Sequence, residues 1–157
     1  MADIISVAVG GAIGIAGGVV IKLWEGQREK RALAYALAGE VSAILEIVER
    51  RKYRQAVRQL MTAVETNRQP LFIQVPITQK YFTVFEANAA KVGLLPRNAA
   101  RDVACFYTYA KSIIEDVTLD RIPKTAEEAL YRLKQLDELL TKLNDLGKRL
   151  AKELEGI

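Results

Sequence analysis

The chain has 157 residues, a net charge of +4, half of its residues hydrophobic, and no histidine. The missing histidine removes Ser-His-Asp and Cys-His nucleophile activation, His-ligated zinc and the Glu-x-x-His motif of di-iron bundles. A single cysteine, Cys105, excludes an intramolecular disulfide. No catalytic, cofactor-binding or metal-binding set is therefore expected, and the mild basicity is not diagnostic, since a protein facing an anionic leaflet needs no nucleic acid to explain it.

Eighteen consecutive uncharged residues, Ile4 to Ile21, hold five of the ten glycines. At about 1.5 Å per residue, a helix over this run with Leu23 and Trp24 reaches roughly 30 Å, the hydrocarbon thickness of a bilayer. Residues 1–24 thus read as a single transmembrane anchor. Ser6, Gly10, Gly14 and Gly18 recur every fourth residue and share a side-chain-poor face on which another helix can lie closely. One span has no partner of its own, so self-association is expected, with a second membrane protein as the alternative. GGAIGIAGG matches neither GxGxxG nor GxxxxGK[ST], which argues against phosphate binding. Met-Ala-Asp before the run and KLWEGQREKR after it argue against a cleaved signal peptide. Lys22, Arg28, Lys30 and Arg31 come after the span and Trp24 sits beside it, forming an expected membrane interface. By the positive-inside rule, residues 25–157 face the cytoplasm and the amino terminus faces out.

Beyond the anchor the pattern predicts an all-α bundle of four to five helices. Leu33, Leu37, Val41, Ile44 and Val48 mark an amphipathic helix from Glu25 to about Asn67. Glu49-Arg50-Arg51-Lys52 puts charge where that stripe should continue, and Val57, Leu60, Met61 and Val64 resume it, so a kink is expected near Tyr53. Arg50, Arg51, Lys52, Arg54 and Arg58 form the one notable basic stretch, a candidate contact for lipid head groups or an acidic partner, set against a solvated helix face. Residues 67–78, with prolines at 70 and 76, read as an extended connector.

Thr78 is positioned to cap a helix from Gln79 to Val92, in which Tyr81, Phe82, Val84 and Phe85 crowd one and a half turns as packing residues, with Gly93 as its stop. Pro96 suits the first turn of the next helix, whose buried stripe is Val103, Phe106, Ala110, Ile113 and Val117. Cys105 lies within that apolar pattern as a buried thiol. Thr125 and Glu128 make a capping box for a last helix with leucines at 133, 136, 140, 143, 150 and 154. This heptad seam, interrupted at Gly147, fits either an antiparallel bundle or a coiled coil with a neighbouring copy.

ALAGEVSAILEIVERRKY (Ala36–Tyr53), YFTVFEANAAKVGLLP (Tyr81–Pro96) and FYTYAKSIIEDV (Phe106–Val117) resemble uncharacterised small bacterial membrane proteins, some of them prophage-associated. The resemblance implies one amino-terminal span in a bacterial inner membrane followed by a cytoplasmic helical domain, and it brings no assigned activity. Within it, Asn88 and Lys91 stand out as polar residues. The functional expectation is a membrane-anchored, self-associating scaffold or adaptor without catalysis. The alternatives are an oligomeric membrane-perturbing phage or defence effector and an accessory subunit of a larger membrane complex.

Overall fold

A computed structural model describes residues 2–75, 80–118 and 122–157, with the side chains of residues 2–21 and 23 excepted. The described chain is helical, with no strand: α1 (Ala2–Arg50), α2 (Tyr53–Asn67), α3 (Thr83–Asn88), a 3-10 segment (Ala89–Leu94), α4 (Arg97–Thr118) and α5 (Ala126–Glu155).

The organising element is α5, which packs against α1, α2 and α4. Its buried face is Ala129, Leu133, Leu136, Leu140, Leu143, Leu146, Gly147, Leu150, Ala151 and Leu154, a three-and-four spacing that keeps one side of the helix turned inward. The expected leucine seam is thus covered by the chain itself. Each fully buried leucine contributes about 1.5–3 kcal/mol of apolar transfer. One core cluster joins Leu33, Leu37, Val41 and Ile44 of α1 to Val103, Phe106 and Tyr107 of α4 and to Leu143, Leu150 and Leu154. A second joins Val57 and Val64 of α2 to Val117, Leu133, Leu136 and Leu140. So α1 and α2 succeed one another along α5, antiparallel to it, and α4 runs beside them in the same direction.

Gly147 interrupts the leucine row because the space is already filled. A Cβ there would stand 2.7 Å from Phe106 Cε2 and 2.9 Å from Leu45 Cδ2. The expected kink lies at Arg51-Lys52, where Lys52 takes a left-handed conformation (φ 51°, ψ 35°) and α2 begins at once. The capping box forms as expected on one side, with Glu128 N–H donating to Thr125 Oγ1 at 3.1 Å. On the other side the Glu128 carboxylate accepts from the backbone of Lys124, at 2.9 Å. Residues 68–75 are non-helical, as expected, and Val75 N–H donates to the Val117 carbonyl at 3.1 Å, tying the connector to the end of α4.

Two expectations need correction. The aromatic helix is shorter than its pattern suggested: α3 starts at Thr83, with Phe82 at the cap position, and gives way to the 3-10 segment at Ala89. Thr78, the expected cap, lies outside the described residues, and α3 is capped from α1 instead. The second correction concerns location. Among the described residues no helix is long and apolar enough to cross a membrane, which contradicts a single-pass inner-membrane protein with an outside amino terminus and a cytoplasmic domain. Where the described side chains of α1 begin, Lys22, Glu25, Arg28, Glu29, Lys30 and Arg31 break up any apolar window. The row Ser6, Gly10, Gly14 and Gly18 lies outside the described side chains. α1 is one continuous helix from Ala2 to Arg50, about 74 Å long at 1.5 Å per residue.

Candidate functional site

Where α1 breaks into α2, the two core clusters meet but do not close. Val48 and Ile113 touch both clusters. Between them is a cavity of about 90 Å³, walled by Ile44, Val57, Ala110 and Leu140 among other apolar side chains from all four long helices and by Ile73 and Val75 of the connector. The break explains the gap: a left-handed residue at 52 turns α2 out of the register of α1, so the two stripes cannot interdigitate as one. The polar groups lining the cavity belong to Arg51, Tyr53 and Tyr81, which are exposed or half-buried at its rim. Arg51 Nη1 donates to the Tyr53 hydroxyl at 2.9 Å. That hydrogen bond, with smaller contributions from the neighbouring Tyr53 and Tyr81 phenols and against a small effect of burial, raises the Arg51 pKa. Among the described residues no carboxylate lines the cavity.

Next to it lies a polar centre built on Glu40. Its Oε1 accepts from Val84 N–H at 2.7 Å and from Thr83 Oγ1 at 3.5 Å. Its Oε2 accepts from Phe85 N–H at 3.0 Å and from the Tyr107 hydroxyl at 2.6 Å. A carboxylate from α1 thus supplies the cap that α3 lacks in its own sequence, since the first amides of a helix have no partner within it. The Tyr107 ring stacks on Phe85 at 4.0 Å and meets Phe82 and Phe106 edge-on at 5.6 and 5.4 Å. Burial first, then the hydrogen bond and charge of Glu40, push the Tyr107 phenol far above its ordinary range, so it stays a neutral donor. Lys111 Nζ lies 5.8 Å from the Phe85 ring and 3.7 Å from Glu86.

The basic stretch does not converge. Arg50 pairs with Glu46 at 2.7 Å, Arg51 turns to the cavity rim, and Lys52 is exposed at the helix break. Arg54 and Arg58 both face Asp137 of α5, at 3.9 and 3.2 Å, and so hold α2 to α5. Of the residues expected at a membrane interface, Trp24 is 65% exposed with Arg28 5.9 Å from its ring centroid. Lys22 and Arg31 are exposed and Lys30 is half-buried. Lys91 pairs with Glu29 at 2.7 Å, and Asn88 Nδ2 donates to the Val84 carbonyl at 2.9 Å. Cys105 is half-buried rather than fully enclosed. Arg132 lies 4.2 Å over the Phe72 ring and donates to the Asp116 carbonyl at 3.4 Å. Burial raises the Asp116 pKa, against the pull of Arg132 and with a smaller push from Glu115.

Sequence reasoning passed over Glu40, Tyr53 and Tyr81 as polar centres. Glu40 carried one signal: an acid beside Val41 and Leu37 in the apolar stripe. Among the described residues no group of three or more His, Cys, Asp or Glu side chains is placed to hold a metal ion. No protein-family profile, curated protein or solved structure matches this chain.

Proposed function

We propose that this protein is a non-catalytic assembly module in which the leading part of α1 joins copies of the chain and the bundle behind it presents surfaces to partners. The observation that supports this reading is the continuity of α1. The helix that contributes Leu33, Leu37 and Val41 to the core begins at Ala2, and none of the side chains described between Lys22 and Ala32 is buried. In sequence, the first part of that helix is the uncharged run Ile4–Ile21 with small residues at 6, 10, 14 and 18. An apolar helical surface of this extent is unfavourable in water and is relieved when like surfaces cover one another. A row of glycines lets two backbones approach closely as they do so. The lack of histidine favours a reading without catalysis, because it removes the commonest acid–base and nucleophile pairs.

Sedimentation equilibrium of the full-length chain in a mild detergent tests this. The expected result is a defined multimer that loses subunits when Gly10, Gly14 and Gly18 are all replaced by Ile. A monomeric starting protein, or a multimer indifferent to the three replacements, overturns the reading.

A further inference from the structure

We infer that the cavity at the α1–α2 break is a binding site for a short aliphatic carboxylate, with the tail among the core side chains and the carboxylate on Arg51. Three observations converge. The walls are apolar and come from α1, α2, α4, α5 and the connector, so the space runs between the two core clusters and opens to solvent beside Arg51. At about 90 Å³ it is smaller than the roughly 150 Å³ cavity that accepts benzene, which limits the buried part of a ligand to a few methylenes. The rim is chemically one-sided: among the described residues it offers a guanidinium and two phenol hydroxyls and no carboxylate.

Arg51 makes no ion pair among the described residues; its side chain donates instead to the Tyr53 hydroxyl at 2.9 Å. Its neighbours along the chain show the contrast, since Arg50 is paired with Glu46 and Arg54 faces Asp137. Of this basic stretch, Arg51 is the cation that lines the cavity, and a planar guanidinium suits the two oxygens of a carboxylate. A neutral apolar molecule would fill the walls but leave this rim unused. An extended anion without a tail would use the rim but not the walls.

The test is a titration of the full-length protein with butanoate, hexanoate, octanoate and the corresponding primary alcohols, monitored by amide shifts at Val57, Ala110 and Ile113. Affinity of the acids should rise about four-fold per added methylene and level off once the tail outgrows the space. Arg51→Gln, at an exposed position, should weaken hexanoate about five-fold and leave hexanol unchanged. Ala110→Leu, which fills the cavity from α4, should abolish binding of both while helicity is retained. Absence of saturable shifts with any acid overturns the proposal, as does hexanoate binding that survives Ala110→Leu in a folded protein. Equal affinity for acid and alcohol overturns the assignment of the head group to Arg51. Should Ala110→Leu fail to fold, the chain-length series and Arg51→Gln decide the matter.

Discussion

The Tyr107 hydroxyl donates to Glu40 Oε2 at 2.6 Å, and through that bond a fully buried ring of α4 is fixed to a carboxylate of α1 that also caps α3. Three elements meet at one side chain. Glu40→Ala leaves a buried phenol and two helix-end amides without their acceptor, and should lower unfolding stability by about 2–4 kcal/mol. Glu40→Gln keeps one acceptor oxygen and should cost less. Urea unfolding of both variants measures the difference, and amide exchange should show the loss centred on Val84 and Phe85.

Burial of this phenol, and after it the bond to Glu40, makes stability fall at alkaline pH. Folded Tyr107 has its pKa raised above the unfolded value of 10.0, so above about pH 10 the unfolded chain sheds a proton that the folded chain keeps. The contribution is therefore whole below pH 10 and is lost as pH rises beyond it. Tyr107→Phe should be less stable at pH 8, yet show a flatter decline between pH 9.5 and 11.5 in the urea midpoint.

Gly147→Ala sets two effects against each other. Helix propensity favours alanine by about 1 kcal/mol. Against it, the new methyl would stand 2.7 Å from the Phe106 ring, which is fully buried and has no room to turn. Overpacking of this kind costs about 1–3 kcal/mol, so the variant should lose about 1 kcal/mol net, and Gly147→Leu considerably more. Thermal unfolding monitored by helicity gives both values.

Asp137 serves two arginines of α2, and Asp137→Asn should loosen α2 from α5. Arg58 is more than half exposed, so the loss should be only about 1 kcal/mol in low salt. It should shrink in 1 M NaCl, where exposed charges are screened within about 3 Å. A stability difference that is unchanged by salt would refute an electrostatic role for this residue.

Lys52 holds a left-handed conformation that costs a residue with a Cβ about 1–2 kcal/mol. Lys52→Gly removes that strain but adds unfolded-state entropy of about 0.5–1 kcal/mol. A net stabilisation of about 0.5–1 kcal/mol is expected by chemical unfolding, with the break in place.

Elements whose signals are local were legible before the fold was known. The Thr125 cap, the apolar stripe of Leu33 to Ile44 and the leucines of α5 each depend on neighbours a few residues away, and each is where its pattern put it. The break at Lys52 was legible for the same reason, through charges that interrupted a stripe. Features built from distant residues were not. Glu40 and Val84 are 44 positions apart, and nothing near Thr83 announces that its cap comes from another helix. Gly147 read as a flaw until Phe106 and Leu45 were seen to occupy its space. The cavity depends on how two stripes fail to mesh, which no one-dimensional pattern records. The membrane anchor failed differently: hydropathy in Ile4–Ile21 spoke for a span, and the described residues of the helix offer no stretch long and apolar enough to be one.

Because α5 is the common partner of α1, α2 and α4, its place after all three in the chain has a consequence for biogenesis. Until it leaves the ribosome, the inward faces of the earlier helices lack their common partner, and Leu37, Val41, Val57 and Val103 stay partly open to solvent or to chaperones. Translation arrested anywhere before about residue 130 should therefore yield nascent chains that proteases cut readily. Protection should arrive in a single step once Leu133 to Leu154 have emerged.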